Sequence, residues 1–246
     1  MIFQFPSPVI FAHRGASAHA PENTLAAFEL AVQEGAPAIE FDVKLTSDRQ
    51  VIIHHDQTLE RTTDGTGPVR LQTLAALREL DAGSWKSLQF KGEKIPLLSE
   101  VLEAVGNKVI TNIELTNYAS PLDGLAQEVA ALVSQHGMQK RVLFSSFYFP
   151  NLMIARRLLP DVPCALLYAP GWQGWTNHLA GAFLTLEANH PYREDVNSNS
   201  VQRSHAHGRR VHVWTVNEPA EMRRLRECGA DGIFTDDPLL GMEYFL

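Results

Sequence analysis

Short apolar runs alternate along this chain with segments of helical spacing, and this alternation constrains the fold more than any other feature. The runs fall at 8–13, 38–43, 51–55, 108–115, 141–147, 163–168, 182–187, 210–216 and 232–236. Helix-like stretches fall at 22–34, 97–105, 121–136, 149–158, 194–207 and 219–228, with Gly35, Gly137, Gly208 and Gly229 placed where helices should stop. Strand alternating with helix predicts parallel pairing. One run is surplus to an eight-stranded barrel. Only Thr46 to Gln50 separate the second run, continued to residue 45, from the third. A parallel crossover needs about a dozen residues, so this link predicts an antiparallel hairpin. Eight parallel strands then remain in 246 residues, the size of a TIM (β/α)8 barrel. Residues 57–96, rich in turn and charged residues, break the alternation and predict a small insertion over one mouth of the barrel, after the hairpin extension of the second strand. No linker interrupts the chain, so residues 1–246 are expected to form a single barrel domain.

The barrel strands should be buried on both faces and read apolar throughout. Two of them do not. In "AIEFDVKLT", Glu40 and Asp42 alternate with Ile39, Phe41 and Val43; in "ITNIELT", Asn112 and Glu114 alternate with Ile113 and Leu115. Successive strand side chains point to opposite faces. With the apolar set against the helices, three carboxylates converge on the barrel interior, where unpaired charge costs several kcal/mol by rough estimate. A divalent cation resolves both the burial and the mutual repulsion, and oxygen ligands alone suit a hard ion, Mg²⁺ or Ca²⁺.

His13 ends the first strand and His55 ends the hairpin strand, which the pairing brings near Asp42. Two imidazoles that titrate near neutrality supply one acid and one base. Arg14 adds a planar cationic fork suited to a phosphate. Trp214 stands at a strand end, where its ring can offer cation–π contact to a quaternary ammonium, with Phe147 a similar candidate. Trp172 and Trp175 lie in a loop between strands.

A formal net charge of -7 argues against a nucleic-acid partner, whose phosphate backbone requires a basic face. The N-terminal "MIFQFPSP" lacks the basic and apolar regions of a signal peptide, and no run approaches the roughly 18 apolar residues of a membrane span. Cys164 and Cys228 sit in apolar contexts and read as reduced, buried residues. A cytoplasmic location is expected.

The stretches "AHRGASAHAPENTLAAF", "AIEFDVKLTSD", "VIIHHDQTLERTTDGTG", "LDAGSW", "IPLLSEVL", "NIEL", "HGRRVHVWTVN" and "GADGIFTDDP" together resemble the glycerophosphodiester phosphodiesterases, in order from about residue 8 to 238. The resemblance implies a TIM barrel with a small insertion and hydrolysis of glycerophosphodiesters, such as glycerophosphocholine or glycerophosphoethanolamine, to glycerol 3-phosphate and an alcohol. It implies metal ligation by Glu40, Asp42 and Glu114, acid–base catalysis by His13 and His55, and phosphate binding by Arg14. The attacking oxygen is either water's or the glycerol's neighbouring hydroxyl, by way of a cyclic phosphate; the resemblance favours the second. Two departures stand out. The family commonly follows "NIEL" with lysine, and here Thr116 takes that place. His190-Pro191 matches a pair often found in the family, whereas Glu187 just before it is an added acid, expected in a rim salt bridge. Two rival readings are a barrel phosphodiesterase acting on lysophospholipids or phospholipids and a non-catalytic barrel that binds phosphodiesters.

Overall fold

A computed structural model describes residues 5–171 and 185–246. Nine strands alternate with helices among these residues. The strands are β1 (Val9–His13), β2 (Ala38–Leu45), β3 (Val51–Ile53), β4 (Ile110–Leu115), β5 (Val142–Ser146), β6 (Cys164–Tyr168), β7 (Ala188–Pro191), β8 (Arg210–Val213) and β9 (Gly232–Thr235). The helices are α1 (Leu25–Gln33), α2 (Leu74–Glu79), α3 (Leu98–Ala104), α4 (Leu125–Gln135), α5 (Phe149–Leu158), α6 (Ser198–Ala206), α7 (Pro219–Glu227) and α8 (Pro238–Tyr244). Eight strands are parallel, and pairing of β1 with both β2 and β9 closes them into a barrel. The fold is the (β/α)8 barrel. Antiparallel β3 pairs with the end of β2, Val43 opposite Ile53 and Leu45 opposite Val51, as the five-residue link requires.

The lumen is plugged at its base by an apolar layer that includes Val9, Phe11, Ala38, Leu143, Ala165, Ala188 and Phe234. A second apolar layer lies between strands and helices, with Ile39, Phe41, Val43, Ile113 and Leu115 facing outward into it. This division settles the direction of the intervening residues: Glu40, Asp42, Asn112 and Glu114 face inward. The 57–96 segment has a small core of its own, in which Leu59, Val69, Leu77, Ala82 and Ile95 pack on Ile52 of β3. It is tied to the loop after β1 by the Lys86 ammonium, which donates to the Ser17 carbonyl at 2.7 Å. The insertion therefore stands at the end of the barrel where the strands point.

Two elements differ from the sequence expectation. The sixth barrel strand, β7, is Ala188–Pro191 rather than 182–187; residues 182–184 lie outside the described residues, as do Trp172 and Trp175. The strand "ANHP" is polar on both faces: Asn189 reaches out to Ser204 and Tyr168, while His190 faces inward. Hydropathy therefore favoured the apolar run before it. The helix α8 was not expected, although Asp237 caps it by accepting from the Leu240 N–H and Pro238 opens it. Among the described residues no helix is long and apolar enough to cross a membrane.

Candidate active site

At the C-terminal ends of the strands, a cleft of about 480 Å³ is lined by His13, Arg14, Glu40, Asp42, His55, Glu114 and Trp214, together with Asn112, Ser145, Phe147, Leu167, His190, Thr215 and Phe234. All the residues singled out from sequence for metal, acid–base and substrate contact meet here.

Oxygens of Glu40, Asp42 and Glu114 lie within 4.8 Å of one another. The pairing of β2 with β4 sets this spacing, with Asp42 directly opposite Glu114 and Glu40 opposite Asn112. Burial, then repulsion by Asp42, pushes Glu114 up to about 8, and burial and both neighbouring acids raise Glu40 well above the usual carboxylate range. Burial opposes ionisation of Asp42 too, but Arg14, His55 and the Asn23 amide hold it low. One acid is stabilised as a carboxylate and two are pushed toward protonation. A divalent cation on the three oxygens removes that conflict, so the donor set fits a hard metal ion.

Arg14 reaches this cluster through an unusual backbone. Its φ is 57°, and that of Gly15 is 84°. A side chain at Gly15 would meet the Ala27 backbone at 2.6 Å, so the chain can turn closely over α1 only with glycine there. The turn aims the Arg14 N–H at Glu40 Oε2, 3.0 Å away, and sets its Nε 3.4 Å from Asp42 Oδ2.

Each histidine is held by a carboxylate. His13 Nδ1 lies 2.6 Å from Asp236 Oδ1, and His55 Nδ1 lies 2.6 Å from Asp56 Oδ1. Burial works against ionisation of Asp236, yet its hydrogen bonds to His13, Asn217 and Ser17 bring it down to about 2. An ionised carboxylate only accepts, so Nδ1 donates in both rings and Nε2 is the nitrogen left for chemistry. The hairpin register differs in detail from the sequence reading. His54, not His55, stands opposite Asp42 and donates its backbone N–H to the Asp42 carbonyl; its side chain turns to the Thr58 carbonyl at 3.1 Å. His55 lies two residues past β3 and enters the cleft from the loop.

Several residues of the site escaped the sequence reading. Arg61, from the insertion, donates to both Asp56 (2.6 Å) and Glu22 (2.7 Å), and Glu22 accepts from Arg14 at 2.7 Å. A continuous chain of charge-assisted bonds thus runs from His55 through Asp56, Arg61 and Glu22 to Arg14. The quoted stretches "AHRGASAHAPENTLAAF" and "VIIHHDQTLERTTDGTG" contain these residues, but local spacing gives no sign that Glu22 and Arg61 meet. The departure at Thr116 has a structural counterpart. Lys44, two residues past Asp42 on the same face of β2, buries its ammonium against the Thr116 carbonyl (2.9 Å) and hydroxyl (3.1 Å). A cation therefore stands beside position 116, supplied by the neighbouring strand. Glu187 is at the opposite end of its strand, paired with Arg156 and the Cys164 N–H, away from the cleft.

The wall built by β7 and β8 is neutral. His190 Nε2 lies 3.1 Å from His212 Nδ1, both rings fully buried against Phe11. Burial lowers His212 to about 3 and, with His212 beside it, takes His190 well below the usual imidazole range. Trp214 donates its Nε1–H to the His190 carbonyl at 2.8 Å and packs edge-on against Phe147 and Tyr192. Tyr118 extends this aromatic rim and donates its hydroxyl to Glu114 Oε1 at 2.9 Å.

A closed (β/α)8 barrel with three converging carboxylates and two carboxylate-bound histidines at its C-terminal mouth defines the class of barrel hydrolases that act on phosphate esters. The glycerophosphoryl diester phosphodiesterase family profile matches residues 13–240, and the chain belongs to that family. A glycerophosphodiester phosphodiesterase of Caldanaerobacter subterraneus is 37% identical over 94% of this chain and 94% of its own length. One from Bacillus subtilis is 34% identical over 92% of this chain and 83% of its own. Among solved structures, an Oleispira antarctica phosphodiesterase in complex with the product sn-glycerol-3-phosphate is 34% identical and superposes with a TM-score of 0.83, covering 97% of this chain and 96% of that one. The chain is a phosphoric diester hydrolase.

Proposed function

We propose that the single barrel, residues 1–246, hydrolyses small glycerophosphodiesters such as glycerophosphocholine and glycerophosphoethanolamine to glycerol 3-phosphate and the free alcohol in the cytoplasm. One divalent cation, Mg²⁺ or Ca²⁺, is held by Glu40, Asp42 and Glu114. The observation that carries this reading is the meeting of those three carboxylates, within 4.8 Å of one another, with His13 and His55 in a single cleft. When bound, the cation supplies positive charge that polarises the phosphoryl group and offsets the charge developing on its oxygens.

The chain's own residues do the rest. Arg14 presents its guanidinium to the phosphodiester; Glu22 and Asp42 fix its position from two sides. Asp236 and Asp56 hold the two imidazoles with Nε2 free. One ring takes a proton from the attacking oxygen, and the other returns one to the leaving alkoxide. Trp214 and Phe147 form an aromatic face at the mouth, where a choline head group gains cation–π contact. On this account Trp214→Ala lowers kcat/KM for glycerophosphocholine by about 5- to 10-fold relative to glycerophosphoglycerol, about 1 kcal/mol; an equal loss on both assigns Trp214 to packing.

The test is release of the free alcohol from a panel of glycerophosphodiesters and from lysophosphatidylcholine, with Mg²⁺, Ca²⁺, Mn²⁺ or EDTA; the other product is glycerol 3-phosphate from the first and lysophosphatidate from the second. Turnover on the small diesters that requires an added cation supports the reading. Preference for lysophosphatidylcholine, or full turnover in chelator, contradicts it. Transient glycerol cyclic phosphate in the same assay identifies the substrate's own hydroxyl as the attacking group.

A further inference from the structure

Below the acidic cluster, two buried polar atoms on the cleft wall are left without a hydrogen-bond partner: Asn112 Oδ1 and His190 Nδ1. Asn112 is on β4, on the same face as Glu114 and nearer the base of the barrel; its amide nitrogen is already used, donating to Ser145 Oγ at 2.9 Å. His190 is on β7, with β5 and β6 between the two strands. Its other nitrogen is engaged with His212, and its ring is boxed in by Phe234, 4.9 Å away between centroids, and by the Trp214 bond to its carbonyl.

We propose that Asn112 and His190 form the subsite that recognises the hydroxyl groups of the substrate's glycerol moiety; the inference rests on the reaction proposed above. The chemistry of the two atoms selects the ligand. Oδ1 of Asn112 only accepts, so it requires a donor. Nδ1 of neutral His190 accepts if its Nε2–H donates to His212, and donates if the proton runs the other way. A hydroxyl satisfies either case. A phosphate oxygen fails at Asn112, and a quaternary ammonium offers no hydrogen bond to either residue. The neutral wall also suits an uncharged polyol, whereas the phosphodiester's charge belongs with Arg14 and the acid-bound cation. The subsite thus places the glycerol end inward and leaves the alcohol to the aromatic mouth, which separates recognition of the constant part of the substrate from the variable part.

The inference is tested by competitive inhibition of glycerophosphodiester hydrolysis with sn-glycerol 3-phosphate, 1-propyl phosphate and inorganic phosphate. In the wild-type enzyme, glycerol 3-phosphate should bind about 10- to 100-fold more tightly than propyl phosphate, a difference carried by its two hydroxyls. His190→Phe, which keeps the ring volume, and Asn112→Ala should each narrow that ratio while leaving inhibition by inorganic phosphate within about 2-fold. Equal inhibition by glycerol 3-phosphate and propyl phosphate in the wild-type enzyme overturns the proposal even if neither variant folds. A parallel loss of glycerol 3-phosphate and inorganic phosphate binding in folded variants assigns the two residues to general architecture and overturns it as well. Absence of any glycerophosphodiester turnover is a separate result that removes the proposed function itself.

Discussion

The walls of the lumen built by β2 with β4 and by β7 with β8 handle buried polarity in opposite ways. The first concentrates charge: three carboxylates and the Lys44 ammonium lie within a few residues, with Arg14 leaning in from the loop after β1. The second removes charge, since burial keeps His190 and His212 neutral and their mutual hydrogen bond replaces water. A phosphodiester has both characters, a charged phosphoryl centre and an uncharged glycerol arm. The asymmetry of the barrel matches that of the substrate, and each wall should fail in its own way when altered.

The largest effect is expected on the charged wall. Asp42→Asn removes the carboxylate that is both the partner of Arg14 and the triad member held ionised, and activity at saturating Mg²⁺ should fall by about 10⁴-fold; a fall under about 10-fold would mean the cation sits elsewhere. His13→Ala and His55→Ala should each lower kcat by about 10²–10⁴-fold without abolishing cation binding. Near-wild-type turnover in either variant would show that its ring takes no part in proton transfer. Arg61→Lys keeps the charge but loses the fork that joins Asp56 to Glu22, and should cost about 10-fold in kcat, the equivalent of one charge-assisted bond. If the loss appears only in thermal stability, the relay is a structural tie.

The smallest effect separates the walls by pH. In chelated protein, Glu114 is raised from 4.5 to about 8, so the folded state holds a proton that the unfolded state has released. Stability from this group is complete below pH 4.5 and is lost as pH rises through about 8. His212 is lowered from 6.5 to about 3, so its contribution is complete above pH 6.5 and is lost as pH falls through about 3. Melting temperature against pH should therefore fall on the alkaline side in EDTA, recover there on adding Mg²⁺, and fall on the acid side in both. An alkaline slope that is the same with and without the cation breaks the contrast.

The same contrast explains how far the sequence could be read. Glu40, Asp42 and Glu114 were visible because each interrupts an otherwise apolar strand, so their alternation gave both their direction and their convergence. The hairpin was fixed by a five-residue link that admits no other connection. The neutral wall gave no such signal. "ANHP" is short and polar on both faces, and only its pairing with β6 and β8 makes it a strand. Asp236, Asp56, Glu22 and Arg61 are loop residues; Asp56 is next to His55 and five positions from Arg61, but Asp236 and His13 are 223 positions apart and Arg61 and Glu22 are 39 apart, and only the fold brings those pairs together. Asn112 was noticed as a polar residue in a strand, but its free oxygen becomes apparent only once Ser145 is seen to occupy its nitrogen.

The central claim is that the three carboxylates of β2 and β4 form one cation site. Calorimetric titration of chelator-stripped protein with Mn²⁺, Mg²⁺ and Ca²⁺, repeated on Glu114→Gln with its fold checked by circular dichroism, tests it most directly. The account predicts one ion per wild-type chain and at least about a 100-fold loss of affinity in the variant, as removal of one of three charged ligands entails. Binding of equal strength and stoichiometry in the two proteins would contradict it.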